Sequence, residues 1–215
     1  MTALIFPVGH YLGPHYRPDT AAPAGHRLRL GPSLRWLVTE PELLAWTLAH
    51  GLGELADEEE QWTRAAVTDH AGWLAETDVA EAIGGLLERR LLVEVDPEQT
   101  EAAEGFARGH RLRALMLALG ADPEDPEAVL LGTAGSPQVA LSERGHAFWQ
   151  AGQHSPCLWE ACQLVAKSGS DTGTDPGELL PEFLGELHGL LGAGTAYLDI
   201  VEGEGEGQHA GVEIY

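Results

Sequence analysis

Two stretches of the sequence carry the same order of structural signals, and this repeat constrains the fold more than any other feature. Residues 28–51 read LRLGPSLRWLVTEPELLAWTLAHG, and residues 129–153 read VLLGTAGSPQVALSERGHAFWQAGQ. Each has a short apolar run ending in glycine, a turn, a second short run, and then Thr-Glu or Ser-Glu. A Ser or Thr side chain caps the first turn of a helix, and an adjacent acidic residue suits the helix dipole. Both stretches therefore predict a β-hairpin followed by a helix.

The repeat continues beyond these two stretches. Residues 77–95 and 175–201 each place apolar residues on one face of a helix and then end in a short strand-like run. Middle helices are predicted at about 58–72 and about 156–167, and an extra helix at about 108–119 joins the halves. The predicted fold class is therefore α+β and mainly helical, with tandem winged-helix-like repeats, each made of a β-hairpin, three helices and a closing strand.

The N-terminal stretch FPVGHYLGPHY, residues 6–16, contains two prolines and two glycines, which oppose a regular helix. We expect an extended arm whose aromatic rings pack against the domain or a partner. The predicted organisation is an extended arm at 1–25, a first repeat at 26–98, a connecting helix and loop at 99–128, a degenerate second repeat at 129–201, and an acidic, glycine-rich tail at 202–215.

The charge and hydropathy of the chain exclude several classes of protein. The sequence has 34 acidic residues against 12 basic ones, with a formal net charge of −22. This charge would repel a phosphate backbone, so nucleic-acid binding is disfavoured. No apolar run is long enough to span a membrane, and the start lacks the basic and apolar regions of a signal peptide. We therefore expect a cytoplasmic protein without a membrane partner.

Residue types that carry catalysis or bind metals do not occur in the patterns that such chemistry needs. Cys157 and Cys162 lie five residues apart, so we expect packed thiols rather than a metal or redox pair. His10 and His15 lack the spacing of zinc ligands, and no glycine-rich loop has the lysine and following helix of a P-loop. The sequence therefore predicts no catalytic residues, no metal and no cofactor, and it favours a protein that is not an enzyme.

The hairpin HRLRLGPSLRWLVT, the helix start LVTEPELLAWTLAHG and the closing segment TDVAEAIGGLLERRLLVEV together carry a family resemblance. Over residues 26–95 the chain resembles the PqqD-like fold, also called the RiPP recognition element. This winged-helix module binds leader peptides of ribosomally made natural products, and residues 129–201 look like a degenerate second copy. The resemblance implies that an extended peptide pairs with an exposed edge at 34–38, beside a groove walled by 78–90.

The hairpin also carries a quarter of all basic residues, Arg27, Arg29 and Arg35. These arginines would attract an acidic peptide. Pairing with the protein's own surplus carboxylates is an alternative that the sequence leaves open. The predicted peptide-binding residues are Arg27, Arg29, Arg35, Trp36, Leu37, Val38, Val79, Ile83, Leu86 and Arg90.

The leading functional hypothesis is a non-catalytic module that recognises a precursor peptide for a natural-product-modifying enzyme. One alternative is a winged-helix transcriptional regulator, whose recognition helix at 78–90 would carry two terminal arginines against three acidic residues. A second alternative is an enzyme component that uses the histidine-rich N-terminal arm. The expected partners are a peptide or a protein, and the sequence leaves open whether the chain forms a homodimer.

Overall fold

The computed structural model describes residues 3–51, 61–168 and 174–201 and shows a mixed α+β fold. Helices account for 42% and strands for 30%, so the prediction of a mainly helical chain is not confirmed. The strands are β1 (Leu4–Pro7), β2 (His10–Tyr16), β3 (Pro23–Leu30), β4 (Ser33–Leu37), β5 (Leu92–Val95), β6 (His110–Ala114), β7 (Leu117–Ala121), β8 (Val129–Thr133), β9 (Ser136–Leu141) and β10 (Ala196–Ile200). The helices are α1 (Glu40–Leu48), α2 (Arg64–His70), α3 (Glu76–Glu88), α4 (Thr100–Gly109), α5 (Glu143–His154), α6 (Leu158–Lys167) and α7 (Pro176–Gly192).

The two halves of the described chain present their elements in the same order. Each half has one strand, a three-stranded antiparallel sheet, three helices and a closing strand that pairs with the opening one. In the first half, β1 pairs with β5 and the sheet order is β2-β3-β4; in the second, β6 pairs with β10 and the order is β7-β8-β9. Helix α4 joins the halves. Each sheet thus has one strand more than the predicted hairpin.

Capping residues set the start of several helices as the sequence predicts. Thr39 caps α1 and forms a capping box with Glu42, and Ser142 caps α5 through the amide of Gly145. Asp175 caps α7, with Pro176 in the first turn. The predicted caps at Thr39 and Ser142 are confirmed.

The predicted helix at 108–119 is wrong. Helix α4 ends at Gly109, and the chain continues as the strands β6 and β7. In HRLRA, at 110–114, charged residues alternate with apolar ones, which is the period of a strand with one face on the core. Leu112 is buried on that face and pairs with Leu198 of β10, so tertiary pairing decides the structure here.

The N-terminal segment forms two strands of the fold rather than a separate arm. All of β1 is buried, and it pairs with β5. The amide of Val8 then donates to the carbonyl of Leu91, and the amide of Gly9 donates to the carbonyl of Leu198 in β10. Strand β2 forms an edge of the first sheet. The predicted tail at 202–215, and residues 58–60 of a predicted helix, lie outside the described residues.

A single hydrophobic core connects the two halves. Phe6 of β1 stacks on Phe106 of α4, with ring centroids 5.6 Å apart, and on His188 of α7, with centroids 4.4 Å apart. Phe148 and Phe183 stack on each other in the second half and are fully buried. Because β1 belongs to the first half and contacts α7 of the second, the β1–β5 pair is held in place relative to the second group of helices.

Candidate functional site

Strand β4 forms an edge of the first sheet, as the sequence predicts for residues 34–38. Among the described residues, it pairs with β3 on one side and has no strand on the other. A two-residue turn joins Leu30 and Ser33, so these two residues form a hydrogen-bonded pair. Along an antiparallel pair, residues that bond the neighbouring strand alternate with residues whose backbone groups point outward. The backbone groups of Leu34 and Trp36 therefore point away from β3. We call this outward row of backbone groups the β4 edge.

Part of the β4 edge already has partners within the protein. The carbonyl of Trp36 accepts a hydrogen bond from Nη1 of Arg89 at 3.0 Å. The amide of Val38 donates to Oε2 of Glu42 at 2.7 Å, and the carbonyl of Leu34 accepts from Arg35 at 3.3 Å. The amides of Leu34 and Trp36 have no partner in the described part of the chain. The open part of the edge is thus shorter than 34–38 and is centred on these two amides.

Glu42 and Arg89 fix the position of α3 beside this edge. Glu42 caps α1, and its Oε1 accepts from Nη2 of Arg89 at 2.5 Å. The same guanidinium donates from Nε to the carbonyl of Gly85 in α3. Because one guanidinium bonds both Gly85 and Trp36, the C-terminal half of α3 lies directly next to the β4 edge.

The helix surface next to the edge has little side-chain bulk. Gly84 and Gly85 are consecutive in α3, and a Cβ placed on either would meet nothing within 4 Å. Glycine inside a helix costs about 1 kcal/mol relative to alanine. The Arg89 side chain spans the distance from α3 to the carbonyl of Trp36, and Gly84 and Gly85 add no side chain of their own to this part of the helix.

Four of the predicted peptide-binding side chains do not face this space. Val79, Ile83 and Leu86 form the apolar stripe of α3, and each is 1% exposed or less. Leu37 is also fully buried. These residues belong to the core. The apolar stripe of α3, which the sequence assigns to a groove wall, is the face of the helix that packs inside the domain.

The remaining predicted residues lie on different surfaces. Trp36 is half-buried on the outer face of the sheet, where its ring meets His15 edge-on at 5.2 Å. Val38 is 62% exposed, just after the strand. Leu34, which the sequence analysis did not select, is 46% exposed on the same face as Trp36. Its exposure could not be read from an apolar residue type.

The arginines do not form the single basic face expected of them. Arg27 and Arg29 share the outer face with Trp36, and Arg27 lies directly across from it. Arg35 alternates to the opposite face, beside Leu28. Arg90 follows α3 with a positive φ of 57° and is exposed. Only Arg27 and Arg29 therefore accompany Trp36 on the outer face.

The second sheet does not offer an equivalent edge. Strand β9 occupies the position of β4, but it contains Pro137, which has no amide hydrogen to donate. The pairing of β8 with β9 is also shifted between Leu131 and Gly132. Proline and a bulge at an edge both oppose strand addition.

Two histidines, His50 and His188, pack against aromatic rings. His50 meets Trp46 edge-on, and its Nδ1 hydrogen-bonds the carbonyl of Trp46. His188 stacks on Phe6 and hydrogen-bonds the carbonyl of Ile5 through Nε2 at 2.7 Å. Burial is the main cause that lowers the pKa of both, to about 4 for His188. Within residues 3–51, 61–168 and 174–201, no three His, Cys, Asp or Glu side chains are grouped as metal ligands would be.

Sequence reasoning missed a polar cleft between the halves, lined in part by Arg111 and Arg113 of β6. The alternation of arginine and leucine in HRLRA was the available signal, because it places both arginines on one face of a strand.

Comparisons with protein-family models, with curated proteins and with solved structures returned no match. None of the helices in the described ranges has the length and apolar character to cross a bilayer.

Proposed function

We propose that this protein is a non-catalytic peptide-binding module, in which an extended peptide adds to the β4 edge as a further strand. The observation that carries the proposal is the pair of outward amides at Leu34 and Trp36, which have no partner among the described residues and lie beside the C-terminal half of α3. In strand addition, main-chain hydrogen bonds supply affinity and neighbouring side chains supply selectivity. Trp36, Leu34 and Val38 would supply apolar contacts, and Arg27 would favour an acidic residue in the peptide.

The resemblance of residues 26–95 to the PqqD-like fold supports the same proposal. We infer that each half is a winged-helix-like repeat and that the first one alone binds. The natural partner would be a precursor peptide, presented to a modifying enzyme in the cytoplasm. The absence of donor groups at Pro137 supports a structural role for the second repeat. The cysteines, Cys157 and Cys162, are free and buried thiols, which suits a reducing compartment.

Peptides selected from a random-sequence display library on the wild-type protein provide the probe. Leu34→Pro removes one outward amide hydrogen without removing a bond to β3, and an edge strand tolerates such a proline. Leu34→Ala removes the same side chain but keeps the amide, and is the matched control. We expect Leu34→Pro to weaken the affinity of the selected peptides about tenfold, equivalent to about 1.4 kcal/mol. Fluorescence anisotropy of the labelled peptides measures this difference.

Two results would contradict the proposal. One is equal affinity of the selected peptides for Leu34→Pro and Leu34→Ala, with both variants folded by circular dichroism. The other is a wild-type dimer in sedimentation velocity that Leu34→Pro converts to a monomer, because a second copy would then occupy the edge.

A further inference from the structure

A polar cleft of about 470 Å³ lies where the first sheet meets the β6–β10 ribbon. One face of that ribbon carries Leu112 and Leu198 and is buried in the core. The other face carries two cross-strand pairs, Asp199 with Arg111 and Tyr197 with Arg113. Arg29 of β3 and Gly31 of the turn after it also line the cleft. The lining side chains are Arg29, Arg111, Arg113, Gln153, Tyr197 and Asp199.

Internal hydrogen bonds occupy both oxygens of Asp199, the carboxylate among the described residues that line this cleft. Asp199 is 3% exposed. Its Oδ1 accepts from the amides of Gly31 at 2.7 Å and Ile200 at 3.0 Å, and its Oδ2 accepts from Arg111 at 3.3 Å. Asp199 thus ties the first sheet to the ribbon and balances Arg111. It leaves the other arginines of the cleft without a compensating charge.

Arg29 and Arg113 have no acidic side chain within 4.0 Å in the part of the chain that the structure describes. Both arginines are exposed, so a dissolved anion can reach them. Nη2 of Arg29 donates to the hydroxyl oxygen of Tyr197 at 2.5 Å, which leaves the hydroxyl hydrogen available for a ligand. The ring of His10 lies tilted against that of Tyr197, with centroids 4.6 Å apart; burial and then Arg29 lower the pKa of His10, whereas Asp199 raises it.

We infer that this cleft binds an oxyanion, either a carboxylate or a phosphate group, between Arg29 and Arg113. Guanidinium groups bind both anions with paired, charge-assisted hydrogen bonds. Among the described residues that line the cleft, Arg29, Arg111 and Arg113 are positive and Asp199 is negative, so a single anionic group brings this set closer to neutrality. Its volume falls within the range of small-molecule sites. This inference is independent of the proposed function, because Arg113 lies on β6 and does not line the β4 edge.

Calorimetric titration with inorganic phosphate and with succinate tests the inference. The ionic strength is held constant, and sodium chloride is the control titrant. Arg113→Gln removes one uncompensated charge from the cleft, and Tyr197→Phe removes the hydroxyl donor. Arg17→Gln makes the same charge change at an exposed position outside the cleft. We expect about a tenfold loss of anion affinity in Arg113→Gln, a smaller loss in Tyr197→Phe and no loss in Arg17→Gln.

The two anions distinguish the sources of the ligand. Binding of phosphate alone assigns a phosphate ligand, binding of succinate alone assigns a carboxylate ligand, and binding of both supports the shared chemistry. Heat signals no larger than those of sodium chloride for both anions would overturn the inference. Equal affinity in wild type and Arg113→Gln would also overturn it. Tyr197→Phe provides the same comparison if Arg113→Gln does not fold.

Discussion

Partly buried histidines link the stability of this protein to pH. His188 and His50 are half-buried, and burial and their mutual proximity favour the uncharged ring of His188, so its pKa is lowered to about 4. In the unfolded chain its pKa returns to about 6.5. The unfolded state therefore binds more protons below pH 6.5, and stability falls as the pH decreases from there toward 4.

The variant His188→Gln tests this linkage. Gln can still donate a hydrogen bond to the carbonyl of Ile5, but it does not titrate. We expect the wild type to lose about 3 kcal/mol more stability than the variant between about pH 7.5 and about pH 4. Urea unfolding at several pH values measures the two slopes. Identical slopes would show that His188 is protonated equally in both states.

At this scale the sequence predicts residue types better than contacts. It selects Val79, Ile83 and Leu86 by their helical spacing, and all three are buried on one face of α3, but it assigns them to a groove. An apolar stripe shows which face of a helix is buried, not whether the protein or a partner covers it.

At the scale of the element, the contact between α5 and β6 leaves no room for a side chain at Gly152. A Cβ there would lie 2.9 Å from the Cβ of Leu112, an atom that cannot move without its backbone. In Gly105 of α4, by contrast, a Cβ would meet nothing within 4 Å. Substituting each of the two glycines thus separates the effect of helix propensity from the effect of close packing.

The matched variants Gly152→Ala and Gly105→Ala should change stability in opposite directions. We expect Gly152→Ala to lower the free energy of unfolding by about 1–3 kcal/mol through overpacking. We expect Gly105→Ala to raise it by about 0.5–1 kcal/mol through helix propensity. Thermal and urea unfolding measure both changes. A stabilised Gly152→Ala would mean that α5 and β6 can separate at little cost.

Element types are predictable where local signals and tertiary pairing agree. The Thr39 and Ser142 caps mark their helices from sequence alone, because a cap acts within one turn. The stretch at 110–121 contains leucines at both helical and alternating spacing, and the helical interpretation is wrong. Pairing of β6 with β10, about ninety residues later in the chain, decides that segment, and no local window contains this information.

At the scale of the molecule, the continuous core makes the two halves depend on each other. Phe6 contacts both Phe106 and His188, and Asp199 bonds Gly31 of the first half. The sequence predicts the order of elements in each half, but it treats 99–128 as a connection and 1–25 as an arm. Contacts between distant segments, which carry no sequence signature, bind both into the core.

We therefore expect the full chain to unfold in one cooperative transition. Differential scanning calorimetry should give a calorimetric enthalpy equal to the van't Hoff enthalpy. Phe6→Ala should lower the unfolding temperature of the whole protein, with a loss of about 3–5 kcal/mol. Two separate transitions, with Phe6→Ala affecting only one of them, would contradict this expectation.

The bond from the Gly9 amide to the Leu198 carbonyl also has a consequence during synthesis. Translation produces Gly9 long before Leu198, so this bond can form only after β10 has emerged from the ribosome. In that interval the apolar residues of β1 lack part of their cover. A nascent chain of this kind depends on rapid completion, or on a chaperone, to avoid aggregation.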